Sequence, residues 1–120
     1  MSIDGRDLAD EEFCYLTTTG RVTGRPHEIE IWFALEDSGG PLYLLSDGHD
    51  RSDWVKNLRR NPEVTVRIDQ KHFGGRARFI EDEQEDDLAR HLLVEKYERN
   101  PGSLANWRRT ALPVAVDLTV

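Results

Sequence analysis

The sequence predicts a mainly β, α+β domain in which six antiparallel strands curl into a barrel flanked by two or three helices. Three observations carry that prediction. Apolar residues alternate with period two over several short segments, turns rich in Gly, Asp, Asn and Ser join most of those segments, and only two or three stretches carry helical spacing. A doubly wound Rossmann sheet is excluded, because strands and helices do not alternate and there is no glycine fingerprint.

The first strand runs from Phe13 to Thr18, where Phe13, Tyr15 and Thr17 oppose Cys14, Leu16 and Thr18 until Gly20 ends it. The second, Pro26 to Glu36, sets Ile29, Ile31, Phe33 and Leu35 on one face. Its other face carries Glu28, Glu30, Trp32, Ala34 and Glu36, which places Trp32 on a polar surface. Asp37 to Pro41 reads as a hairpin turn and Leu42 to Ser46 as the third strand. After the loop Ser46-Asp47-Gly48-His49-Asp50, Ser52 is placed as the N-cap of a short helix. Trp54 and Leu58 share one face of that helix, and Asn61-Pro62 stops it.

Val64, Val66 and Ile68 mark a fourth strand, Asp69-Gln70 a turn, and Lys71 to Ile80 a fifth strand with a bulge expected at Gly74-Gly75. Leu88, Leu92 and Val94 space a helix between Glu83 and Asn100, closed by Asn100-Pro101-Gly102. A short helical or irregular stretch containing Trp107 leads to the last strand, Leu112 to Val120. No repeat or linker interrupts the chain. The organisation expected is an acidic segment, 1–12, and one domain, 13–120.

With 16 Lys and Arg against 23 Asp and Glu, the formal charge is −7, and that field repels nucleic acid and anionic lipid. No nucleic-acid partner and no integral membrane segment are expected. One cysteine, Cys14, permits no internal disulfide and is expected as a buried structural thiol, which together with the lack of an apolar leader suggests a cytoplasmic protein. His27, His49, His72 and His91 stand at spacings that define no metal site, and neither a nucleophile elbow nor an HExxH motif occurs. Any hard chemistry therefore falls to an organic cofactor.

The stretch Thr17 to Arg25 concentrates hydroxyls, glycines and the guanidinium groups of Arg21 and Arg25, a set suited to gripping an anion. A second donor set is the start of the Ser52 helix, with Arg51 at its entry. Trp32 and Trp54 are candidates for flanking a planar ring.

The blocks Thr17-Thr18-Thr19-Gly20-Arg21-x-Thr23-Gly24-x-Pro26, Ser46-x-Gly48, Trp54-x-x-Asn57-Leu58 and Asn61-Pro62-x-Val64 resemble the deazaflavin-dependent nitroreductase family of split β-barrel oxidoreductases. The resemblance implies a split barrel that carries hydride from the reduced deazaflavin coenzyme F-420 to nitroaromatic, quinone or related small electrophiles. By position it implies Arg21, Thr23 and Gly24 at the phosphate-bearing tail, Ser46 and Gly48 near the ring, and Trp54 and Asn57 bordering it; with the loop and helix-entry groups read from the residues, the expected cofactor site is Thr19, Gly20, Arg21, Thr23, Gly24, Arg25, Trp32, Ser46, Asp47, Gly48, Arg51, Trp54 and Asn57. Tyr97 and Trp107 would line the substrate side, Tyr97 also as the candidate catalytic group. Val22 and Asp47 stand where the family pattern often has lysine, His27 where it often has arginine, and Glu30 where it often has proline. The alternatives on this scaffold are an FMN-dependent reductase and a non-catalytic cofactor- or ligand-binding protein. An uncovered barrel side makes a homodimer the expected assembly.

Overall fold

The computed structural model describes residues 8–36 and 40–119. Most of the acidic segment, the first three residues of the Asp37 to Pro41 turn and Val120 lie outside the described residues. Seven strands follow in the order β1 (Cys14–Thr19), β2 (Pro26–Ile31), β3 (Ala34–Leu35), β4 (Leu42–Ser46), β5 (Glu63–Ile68), β6 (Lys71–Phe79) and β7 (Leu112–Thr119). The helices are α1 (Asp53–Arg60), α2 (Glu83–Tyr97) and α3 (Ala105–Thr110), and a 3-10 turn spans His49–Arg51. All pairings are antiparallel in one curled sheet ordered β2-β1-β5-β6-β7-β4-β3, a half-barrel with β2 and β3 at its two edges.

Six expected strands become seven because the Pro26 to Glu36 segment breaks after Ile31. Tyr97 and Lys96, on the last turn of α2, take the backbone groups of Phe33 out of the ladder. The Phe33 N–H donates to the Tyr97 hydroxyl at 3.0 Å, and the Phe33 carbonyl accepts from Lys96 Nζ at 3.0 Å. Alternation survives the break. Ile29, Ile31, Phe33 and Leu35 meet the inner core with Leu16, Val66 and Val116, whereas Trp32 and Ala34 face the outer layer under α2. The face read as polar is therefore apolar where α2 covers it.

Helix α2 begins at Asp82, whose carboxylate accepts from the Glu85 N–H at 2.9 Å. Ala89, Leu93 and Tyr97, spaced i,i+4, pack on Tyr43, Leu45 and Ala115. This explains why every residue of β4 is buried: Leu42 and Leu44 point inward, while Tyr43 and Leu45 point to the helix. Arg78 fastens the layers, donating to Glu85 at 2.6 and 2.7 Å and to Asp117 at 2.7 Å, and Tyr43 donates to the same Glu85 at 3.0 Å. The Arg78 guanidinium holds the Glu85 carboxyl below its ordinary range. The helix stops at Tyr97, short of the expected Asn100. Proline at 101 disfavours helical backbone before it, and Glu98, already extended, accepts from the Leu104 N–H at 3.0 Å.

No bulge occurs at Gly74-Gly75. The β5–β6 register runs unbroken from Glu63 opposite Arg76 to Ile68 opposite Lys71. The glycines instead admit β7, since a Cβ on Gly75 would lie 2.7 Å from Val116 Cγ1. Cys14 is fully buried, and burial pushes its thiol up to about 12.

Candidate functional site

Two clefts open side by side along β2 and the start of α1. The first, of about 430 Å³, is bounded by the Gly20 to Thr23 turn, by His27 to Ile29 of β2, and by Asp53, Trp54 and Asn57 of α1. The turn is tight: the Gly20 N–H donates to the Arg25 carbonyl at 2.7 Å, the Gly24 N–H returns to the Gly20 carbonyl at 2.9 Å, and Gly24 holds a φ of +77°. A Cβ on Gly20 would meet the His27 ring at 2.8 Å, so glycine is what lets His27 lie against the turn.

Arg21 is fixed before any ligand arrives. Its Nη1 donates to Asn57 Oδ1 at 2.9 Å, its backbone N–H reaches the same oxygen at 3.1 Å, and its Nη2 pairs with Asp53 at 3.2 Å. Asn57 is buried, and its own Nδ2 donates to Thr18 Oγ1 at 3.0 Å, so its amide orientation is dictated from the core side. The result is a preset guanidinium, about one-third exposed, with a carboxylate at its edge.

The second cleft, of about 610 Å³, is more apolar. Phe13, Ile31, Trp32, Leu45, Leu104 and Trp107 supply its walls, while Glu30, Ser46, Asp47, Gly48 and Ser52 supply polar groups. Trp54 lines both clefts and separates them. Trp32 is held in place by aromatic contacts, stacked on Tyr97 with centroids 4.2 Å apart and 3° between planes, and edge-on to Trp107 at 5.7 Å. The Tyr97 hydroxyl accepts from Phe33 and donates to the Glu12 carbonyl at 2.7 Å. Burial raises its pKa, and Tyr97 itself is only 5% exposed. It backs the cleft wall through its ring, and its hydroxyl is committed to the backbone.

The structure thus brings Gly20, Arg21, Thr23, Trp54 and Asn57 to one cleft, and Trp32, Ser46, Asp47, Gly48, Trp54 and Trp107 to the next. Thr19 and Gly24 lie on the other side of the turn, in a shallower depression with Thr17, Pro26 and Glu63. Arg25 and Arg51 are exposed and line none of these three depressions. Sequence reading passed over Phe13, Leu104 and Ser52 as wall residues. Only Ser52 had a signal, and it read as a helix cap, yet its side chain caps no helix amide.

An aromatic slot with hydroxyls beside a pocket with a preset cation fits a planar heteroaromatic ring joined to an anionic tail. Among the described residues no group of three or more His, Cys, Asp or Glu can hold a metal ion, and no helix is long and apolar enough to cross a membrane.

Residues 2–119 match the family described as F420H(2)-dependent quinone reductase. The chain is 32% identical over 104 residues to an F420H(2)-dependent quinone reductase of Mycobacterium tuberculosis, a match spanning 84% of this chain and 68% of the relative. Among solved structures it resembles an F420-H2 dependent reductase, FDR-A, at 25% identity and a TM-score of 0.68, covering 90% of this chain and 94% of that one. A second similar structure, described as a domain-swapped dimer, has 25% identity and a TM-score of 0.69 over 90% of this chain and 80% of that one.

Proposed function

The chain belongs to the F420H(2)-dependent quinone reductase family, whose members transfer hydride from reduced F-420 to quinone-type acceptors, and from that premise we propose how its two clefts divide the work. The first takes the anionic tail of the coenzyme and the second takes the deazaflavin ring with the acceptor. The observation that carries this reading is Trp54, which lines both clefts, so that one elongated ligand can place its tail against Arg21 and its ring among the aromatic walls.

Reduced F-420, when bound, supplies the hydride. The protein's part is grip, orientation and exclusion of water. Arg21, oriented by Asn57, offers its remaining N–H groups to a phosphate or carboxylate. Ser46, Gly48, Ser52 and Trp54, which line the second cleft, would hold the ring. Trp32, braced by Tyr97, and Trp107 give the acceptor a flat apolar face. Tyr97 is not the source of the proton that completes a hydroquinone, because its hydroxyl proton is already donated to a backbone carbonyl. Quinones are the acceptors, and nitroaromatics and related electrophiles extend the range on the same apolar face.

Parallel titration of the purified protein with F-420, FMN and FAD, followed by steady-state reduction of a quinone panel, tests the reading. Expected are tight binding of F-420 over both flavins and turnover with quinones. Preferential FMN binding, or binding of F-420 without turnover of any quinone, would refute it. A homodimer is the assembly we infer, supported by a relative described as a domain-swapped dimer and by the open side of the half-barrel.

A further inference from the structure

Ser52 occupies the N-cap position of α1 with extended backbone angles, φ −60° and ψ 141°, yet its hydroxyl bonds none of the helix amides that such a serine normally serves. It turns instead to Ser46, with the two hydroxyl oxygens 2.8 Å apart. Ser46 is buried, and its oxygen also lies 2.9 Å from the His49 carbonyl. A carbonyl can only accept, so the Ser46 proton goes to His49, and the contact between the serines uses the Ser52 proton. Ser52 is left with lone pairs and no free proton. Its oxygen packs under Gly48, where an added Cβ would come within 2.4 Å, and Ser46, Gly48 and Ser52 all line the second cleft.

We propose that Ser52 is a specificity-determining residue: its hydroxyl, held as an acceptor by the Ser46–His49 chain, receives the imide N–H on the pyrimidinedione edge of the deazaflavin ring. This rests on the reading that the ring sits in the second cleft. The imide N3–H is the donor flanked by two ring carbonyls, and it persists in both oxidation states of the coenzyme. A hydroxyl that could donate would also accommodate a ring with an acceptor at that position; one whose proton is committed rejects it. Asp47 is the competing acceptor on the same wall.

The test compares binding of oxidised F-420 and its N3-methyl derivative by coenzyme fluorescence. Wild type should bind the methylated compound about tenfold or more weakly, the scale of one buried hydrogen bond plus crowding. Ser52→Ala should bind F-420 about tenfold more weakly and discriminate between the two compounds by less than about threefold. Ser52→Thr, which keeps the hydroxyl, should retain the wild-type ratio. Equal binding of both compounds by wild type overturns the proposal without any variant. So does an unchanged ratio in Ser52→Ala of native melting temperature, the outcome expected if Asp47 accepts the N–H or if Ser52 only shapes the loop. Wild type that binds neither compound refutes the cofactor reading itself, and this proposal with it.

Discussion

Among the described residues, Arg21 is the one arginine or lysine that lines the first cleft, the proposed site of the coenzyme's tail, and Asp53 already partners it at 3.2 Å. The pair is solvent-facing, with Asp53 side-chain exposure of 87%, so by itself it adds little stability. Its weight is in binding, where an incoming anion must share the guanidinium with a carboxylate. Arg21→Ala should weaken F-420 binding about tenfold, the lower end for a charge-assisted contact because the group is part-exposed. Asp53→Asn should tighten it several-fold and steepen its salt dependence, since the freed charge is then the one that salt screens. Identical affinities for all three proteins in a salt series would place the tail elsewhere. Tyr97→Phe separates support from chemistry. It leaves the Phe33 N–H without its buried acceptor, and thermal unfolding should show a loss of about 1–3 kcal/mol. Quinone turnover below the melting transition should stay within about threefold of wild type with the same pH profile. A collapse of kcat in a folded Tyr97→Phe protein would make the phenol a proton donor after all.

At the scale of an element, the last turn of α2 acts as a clasp on the β2–β3 break. Lys96 Nζ bonds the Phe33 carbonyl and sits 3.7 Å from the centroid of the Phe33 ring, while Tyr97 ties Phe33 to Glu12. Burial lowers the Lys96 pKa to about 8 from an ordinary 10.5; Cys14, Asp10 and Glu11 act the other way. The sign follows by linkage. Below pH 8 the ammonium is charged in both folded and unfolded chains and its desolvation opposes folding. Between about 8 and 10.5 the unfolded chain holds the extra proton, so stability rises with pH across that window. Compared with Lys96→Met, the melting temperature of wild type should therefore climb from pH 7.5 to 9.5. Parallel curves for the two proteins would mean that water screens the ammonium fully.

At the scale of the whole molecule, the half-barrel leaves β2 as an exposed edge, and its sequence argues against pairing there with a second copy. Two-fold antiparallel pairing keeps residues of one face opposite each other, so centring it on Glu28 sets that residue against its own copy, and centring it on Ile29 sets Glu28 against Glu30. The dimer we infer therefore uses the β3 edge, a face of the sheet or exchange of a segment rather than β2 against its own copy. Sedimentation across micromolar concentrations should give a dimer whose stability is insensitive to Glu28→Gln; a single monomeric species would end the assignment. The sequence by itself determined the alternation of Ile29, Ile31, Phe33 and Leu35, the strands around Val66 and Val116, and the glycine turn that carries Arg21, because strand period and turn chemistry act over a few residues. Tertiary structure decided what those residues touch. Phe33 leaves its strand for a tyrosine 64 positions away, Gly74 and Gly75 yield to β7 rather than bulging, Arg21 arrives paired with Asp53, and Ser52 abandons its helix for Ser46. Hydrogen bonds go to whichever donors and acceptors packing brings within about 3 Å, and sequence distance carries no record of that.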